Sequence, residues 1–359
     1  MKLSEPFHMD GRSYRQAELI SFCREALQDP GIPDWKQHVY SFVALFLDPS
    51  EGEISQKSSG TTGDPREHQL HREKMVRSAR RTLDYFNLQP GDRALLCLPI
   101  RYIAGKMMVV RALVGGLNLV MTEPSGRPLI NLTGPFTFAA MVPLQVHESL
   151  SHGDSLSIIR TLVIGGGELH PAVKEKLTHM NPPAIYESFA MTETYTHFAL
   201  RRINGTLPDH AFRLLEGIRV SQDERGCLEV EIDDITAGKV TTNDLVEIAP
   251  SGRDFQWLGR IDHVISSGGI KIIPELLEQQ IRQWLGHDCL ILPEADEKLG
   301  EKLVLVVEYG ASEPPVDMWK ALLQSKLSGY EVPKRILTIG EIPRNQSFKH
   351  DRKAARRFL

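Results

Sequence analysis

The chain of 359 residues is long enough for about two domains with a substantial core, and its 41% hydrophobic and 25% charged residues are ordinary for a globular protein. With 42 basic against 46 acidic residues the net charge is -4, which excludes the basic footprint of a nucleic-acid binder. The first residues form no apolar signal core, and the most apolar region, 95–120, is interrupted by Arg101, Lys106 and Arg111, so a cytoplasmic protein without a membrane span is predicted. Cys23, Cys97, Cys227 and Cys289 are far apart with no C-x-x-C, and the 13 histidines form no H-E-x-x-H, which speaks against a zinc site or a disulfide framework.

Residues 38–47 (HVYSFVALFL) are the first buried segment, with helix or strand left open. Next comes Ser58-Ser59-Gly60-Thr61-Thr62-Gly63-Asp64-Pro65-Arg66, with four hydroxyls and two glycines in six consecutive residues. Glycines let backbone N–H groups turn inward and hydroxyls donate to oxygens, so the composition suits a phosphate cradle. A surface turn would use similar residues, and the glycine spacing is not that of a Walker A loop.

Met75, Ala79, Leu83 and Phe86 recur at three- and four-residue steps and predict an amphipathic helix over 71–88. A strand over 93–99, a helix over 104–115 and a strand over 118–121 follow. Strands over 138–142, 161–164 and 184–186 and a helix over 170–180 continue the alternation, which predicts an α/β layer with a largely parallel sheet. Ligands gather at the carboxyl ends of such strands, where the sequence places Tyr102 and Lys106, Gly165-Gly166-Gly167, and the run Ser188 through Thr194. The triple glycine is equally consistent with a tight turn. From about 198 to 273 short alternating segments give a β-rich piece. Beyond it lies a compact α/β unit with helices over 274–285 and 316–327 and strands over 289–292, 303–308 and 335–339. The domain boundary is placed at Asp262, giving domains 1–261 and 262–359.

Taken in order, several of these stretches resemble the acyl-adenylate-forming (AMP-binding) superfamily. Residues 58–66 resemble its [ST]-S-G-[ST]-T-G-x-P-K loop, with Arg66 where lysine is usual, a change that keeps the charge and alters its geometry. Phe189-Ala190-Met191-Thr192-Glu193 resembles [YF]-G-x-T-E, and Thr242-Asn243-Asp244 resembles T-G-D. The segment from Gly259 and Arg260 through Asp262, Gly268, Gly269 and Lys271 to Pro274 resembles the family's hinge and thiolation motif. Pro343 through Lys349 to Lys353 resembles the terminal P-R-[ST]-x-[ST]-G-K-x-x-R-[KR], with Phe348 in place of the glycine.

The resemblance implies a large N-terminal domain with a mostly parallel sheet and a β-rich segment, followed by a small mobile α+β domain. It implies that Ser58, Ser59, Gly60, Thr61, Thr62, Gly63 and Arg66 bind ATP phosphates, that Phe189 lies on adenine, that Asp244 takes the ribose hydroxyls and that Arg260 contacts the nucleotide. Thr192 would touch phosphate, Glu193 would help hold Mg²⁺, and Lys349 would supply the catalytic charge. Asp262 would be the hinge, with Gly268 and Gly269 beside the pantetheine arm of CoA. Within the superfamily, the segment from Leu98 to Arg111 and the Gly165 to Gly167 run resemble the o-succinylbenzoate-CoA ligases of menaquinone biosynthesis, in a form with little sequence before the phosphate loop. Tyr102, Lys106, Gly165, Gly166 and Gly167 are then expected around the acid. The expected partners are a carboxylic acid, ATP and CoA, and a homodimer is left open. The alternatives are a ligase for another aryl or fatty acid, or a degenerate member that binds nucleotide or acyl-CoA without turnover. Replacement of family glycines by Ala190, Asn243 and Phe348, and of lysine by Arg66, keeps the degenerate reading open, whereas retention of Thr192, Glu193, Asp244, Arg260 and Lys349 together weighs against it.

Overall fold

The computed structural model describes residues 3, 5–48, 50, 52–57, 67–167, 169–206, 209–310, 313–344 and 350–359. The chain divides into two compact units, Met1–Arg219 with Glu231–Val240, and Val220–Val230 with Thr241–Leu359. Residues 241–261 thus group with the C-terminal residues, where the sequence-based boundary sets them with the first domain.

The first unit contains β1 (Phe7–Met9), β2 (Arg12–Tyr14), α1 (Gln16–Ala26), α2 (Asp34–Leu47), β3 (Glu53–Lys57), β4 (Glu67–His71), α3 (Arg72–Tyr85), β5 (Arg93–Leu96), α4 (Ile103–Gly115), β6 (Asn118–Met121), β7 (Phe136–Met141), α5 (Pro143–Ser151), β8 (Ile159–Ile164), α6 (Pro171–Thr178), β9 (Ala184–Ala190), β10 (His197–Arg202) and β11 (Phe212–Leu214). Its sheet runs β2-β1-β6-β5-β7-β8-β9-β10-β11. The neighbours from β1 to β9 pair in parallel, while β2 and β10 pair antiparallel. Parallel neighbours need crossovers, and α4, α5 and α6 supply them. The expected alternation is therefore present, and residues 38–47 are helical within α2. Val39, Phe42, Val43, Phe46 and Leu47 of α2 are buried, a three- and four-residue recurrence that gives one broad apolar face. A core of Leu95, Phe136, Met141, Leu162, Ile164 and Ile185 fills one face of the sheet.

β12 (Ile218–Gln222), β13 (Cys227–Ile232) and the start of β14 (Val240–Ile248) span the points where the two units divide. The second unit holds most of β14, then β15 (Asp254–Arg260), β16 (Ile265–Ser267), β17 (Ile270–Ile272), α7 (Pro274–Leu285), β18 (Cys289–Asp296), β19 (Gly300–Glu308), α8 (Val316–Lys326), β20 (Arg335–Ile339) and α9 (Arg352–Ala355). β14 and β15 pair antiparallel, with Asp244 opposite Arg260. A five-stranded sheet runs β17-β16-β19-β18, with β20 parallel to β19. Side chains alternate faces along a strand, so β18 and β19 feed two cores. Cys289, Ile291, Leu303, Leu305 and Val307 meet α7 and α8 residues on one face, while Leu290, Leu292 and Val306 meet Ile342 and Ala355 on the other.

All four cysteines are buried with free thiols. Burial pushes Cys23 and Cys97 up to about 12. Among the described residues no helix is long and apolar enough to cross a membrane.

Candidate functional site

In the first unit β8 and β9 run in parallel with Ile164 opposite Glu187, which sets Gly165, Gly166 and Gly167 beside the chain after Ser188 at the carboxyl edge. The approach is close: a Cβ on Gly165 would collide with the Ser188 hydroxyl, which itself donates to Ile164 O at 3.2 Å. Phe189 is half-buried and meets Phe198 and Phe212 edge-on at 5.5 and 5.2 Å. Thr192, half-buried, and Glu193, exposed, lie in the turn between β9 and β10. That turn is fixed at its far side. Thr194 Oγ1 accepts from Met191 N–H at 3.2 Å and lies 2.8 Å from Thr196 O, while Tyr195 takes a left-handed φ of 67°. The Tyr195 hydroxyl accepts from His71 N–H at 3.1 Å, tying the turn to the end of β4.

β3 and β4 form an antiparallel ribbon that closes with Lys57 opposite Glu67. Ser58, Ser59, Gly60, Thr61, Thr62, Gly63 and Arg66 come between these strands and lie outside the described residues. The ribbon has a second anchor at α4. Lys106 Nζ donates to Ser55 O at 2.9 Å and to Gln56 Oε1 at 2.8 Å, and Gln56 Nε2 donates to Arg101 O at 3.0 Å. Burial lowers the pKa of Lys106 from its usual value. Lys106, expected beside the acid, thus has its ammonium on β3. Tyr102 caps the start of α4 half-buried, with the exposed Arg101 guanidinium 4.9 Å from its ring.

Arg111 is 3% exposed, and its guanidinium donates to Thr196 Oγ1 at 2.6 Å. Among the described residues no carboxylate pairs with it and its Nε has no partner, and burial pushes its pKa down to about 9. His197 beside it is buried, with Nε2 3.2 Å from Thr82 Oγ1. Burial first, then the Arg111 charge, holds this imidazole well below its ordinary range.

In the second unit the indole N–H of Trp257 donates to Asp244 Oδ1 at 3.0 Å. Asp244 N–H donates to Thr242 Oγ1 at 3.0 Å. Arg260 stands 3.9 Å from Asp244 and donates to Asp262 at 2.6 Å, so the expected nucleotide contact and the expected hinge form an ion pair. Trp257 was not legible as part of this group; only the β14–β15 register brings it to the carboxylate. Gly268 and Gly269 make the two-residue turn between β16 and β17 with φ of 59° and 83°, the two positive values a type I′ hairpin requires. The Tyr330 ring stands directly over Gly268, where a Cβ would lie 2.8 Å from its Cε1. Lys349 lies outside the described residues, but Arg344 and His350 on either side of it form a bridge.

The chain can be compared with known proteins on these features. The family described as AMP-binding enzyme matches residues 56–227. An acyl-CoA synthetase (AMP-forming)/AMP-acid ligase II-like protein from Dyadobacter fermentans is 34% identical, with 94% of this chain and 97% of that chain covered and a TM-score of 0.63. A 2-succinylbenzoate–CoA ligase of Salmonella typhimurium is 25% identical over 319 residues, covering 84% of this chain and 68% of the relative. The o-succinylbenzoate CoA synthetase of Bacillus subtilis, solved with its acyl-adenylate intermediate, is alike in fold, with a TM-score of 0.76 at 17% identity over 97% of this chain and 95% of that one. By the matched family and by relatives that this chain covers over most of their length, this protein belongs to the AMP-binding enzymes, as an AMP-forming acid–CoA ligase.

Proposed function

We propose that the acid is o-succinylbenzoate and the product its CoA thioester, made through an acyl-adenylate as a step of menaquinone biosynthesis. The observation that carries the adenylation step of this reading is the pair of anchors on the β3–β4 ribbon, which join the strands flanking residues 58–66 to the Thr192–Glu193 turn through Tyr195 and to the start of α4 through Gln56 and Lys106. A phosphate loop and an acid-binding helix held by one ribbon suit a reaction in which carboxylate and α-phosphorus must meet. The substrate choice is supported by relatives named for 2-succinylbenzoate. Of the three basic residues around α4, Arg101 alone is exposed, and it suits the second carboxylate of such an acid.

The acid's carboxylate attacks the α-phosphorus of ATP and pyrophosphate leaves; the CoA thiolate then displaces AMP. In the first step two anions converge. Thr192 and the hydroxyls of residues 58–62 donate to phosphate oxygens, and Lys349 offsets the repulsion as a positioned charge, because the attacking carboxylate is already ionised near neutral pH. Phe189 offers a ring to adenine, and Asp244, oriented by Trp257, accepts from the ribose. Glu193 is a single exposed carboxylate in the turn between β9 and β10. That fits Mg²⁺, which keeps most of its waters and takes one or two carboxylates plus substrate phosphates. Bound there, Mg²⁺ would neutralise phosphate charge. Asp262 serves as the hinge at the head of the domain 262–359, and Gly268 and Gly269 border the pantetheine path.

ATP–pyrophosphate exchange with o-succinylbenzoate, benzoate and octanoate, followed by CoA addition and thioester detection, tests this reading. Exchange and thioester with o-succinylbenzoate alone are expected. Activity with another acid replaces the substrate, and ATP binding without exchange for any acid favours a non-catalytic binder.

A further inference from the structure

The second unit buries a charge cluster that the reaction above does not use. Asp288, at the entry to β18, has only 2% of its side chain exposed and accepts four donors. Arg282 Nε and Cys289 N–H reach Oδ1, each at 2.9 Å. Arg344 and His350 Nε2 both reach Oδ2, the latter at 2.8 Å. Burial alone would raise this carboxyl, but the His350 contact and the charges of His350, Arg282 and Arg344 outweigh it and hold Asp288 well below the usual carboxylate range.

Arg344 and His350 are the last described residue before Lys349 and the first after it. Around them, Asp351 N–H donates to Pro343 O at 2.8 Å, and Arg352 donates to Glu278 at 2.7 Å and to Ile291 O at 3.0 Å. Glu278 in turn accepts from Ile291 N–H at 2.7 Å. Five residues intervene between Arg344 and His350, and both of these side chains meet one oxygen of a carboxylate whose other oxygen is held from α7 and β18. A side chain that must meet a developing charge to within a fraction of an ångström needs such a base.

We propose that Asp288 is the positioning residue for the segment that carries Lys349. This rests on the reading of Lys349 as the charge used in adenylation. Full-length Asp288→Asn, Lys349→Ala and the double variant are to be assayed for ATP–pyrophosphate exchange, and for thioester formation from supplied acyl-adenylate and CoA. Asp288→Asn is expected to lower kcat for exchange by ~10²-fold, the scale of an ångström-sized misplacement, with KM for ATP and thioester formation unchanged. In the Lys349→Ala background the second change should remove nothing more. Wild-type exchange in Asp288→Asn, additive losses in the double variant, or equal losses in both half-reactions overturns the proposal. Wild-type exchange in Lys349→Ala instead removes the role given to that lysine, and the proposal with it. Should Asp288→Asn fail to fold, Arg344→Gln and His350→Gln each free one end of the segment. Reduced exchange with normal thioester formation in these variants supports the proposal, and wild-type exchange in both overturns it.

Discussion

Gly105 offers a test in which two ordinary effects oppose each other. It lies buried in the first turn of α4, where alanine would favour the helix by about 1 kcal/mol over glycine. A Cβ there would stand 2.8 Å from the Pro99 carbonyl carbon and 3.0 Å from Leu98 O, and closer still to Pro99 O. Carbon atoms settle about 3.5–4.0 Å apart, so the helix must retreat by roughly 0.7 Å or more. The obstacle is backbone, which has no rotamer to escape into. Overpacking of this kind costs about 1–3 kcal/mol, so after the helix-propensity gain Gly105→Ala is expected to be net destabilising by up to about 2 kcal/mol. The same retreat moves Lys106 off Ser55 and Gln56, and so loosens the ribbon around residues 58–66. Urea unfolding and the KM for ATP in pyrophosphate exchange are the readouts, and the midpoint should fall while KM rises. A variant as stable as the parent, with unchanged KM, would show that helix propensity decides this site and that the close approach of α4 does not matter.

His197 is held neutral by burial and by Arg111, so the folded state resists a proton that the unfolded chain accepts near 6.5. Stability should therefore fall as pH drops below 6.5, by up to ~1.4 kcal/mol per pH unit, and His197→Gln should flatten that slope in melts between pH 7 and 5. Arg111→Met keeps the length of a buried cation that has no carboxylate partner among the described residues. Its unfolding midpoint should match or exceed that of the parent, and a loss above ~2 kcal/mol would mean that the guanidinium is compensated in solution. Trp257→Phe deletes one donor to Asp244 and should raise KM for ATP by roughly 3- to 10-fold, the worth of one hydrogen bond; an unchanged KM would separate Asp244 from the ribose.

The periodic elements were readable because burial follows the period. The helix over 274–285 and the strand over 335–339 coincide with α7 and β20, where apolar spacing and the flanking turns agree. The ambiguity of residues 38–47 resolved as α2 because seven of fourteen residues are buried around a broad face, a pattern that a short apolar run does not distinguish from a strand. β3 and β4 were not anticipated, since Glu53–Lys57 and Glu67–His71 are mostly polar and their pairing is set by register and not by composition. Of the site, the motifs gave local identity, but long-range partners lay beyond them. The Tyr195 to His71 bond spans 124 positions and the Asp288 to His350 contact 62, and neither leaves a periodic trace. Lys106 has a partner of the same kind, for the Ser55 carbonyl that its ammonium meets lies 51 positions away and leaves no mark in the sequence beside it.

The buried thiols have a practical consequence. Only a thiolate is alkylated at a useful rate, and burial withholds both access and ionisation, so an electrophile should leave the native chain unmarked. Cys23 and Cys97 fall in the first unit, Cys227 and Cys289 in the second. The order in which mass spectrometry finds them labelled under mild denaturant would report which unit opens first, with no mutation or dye introduced.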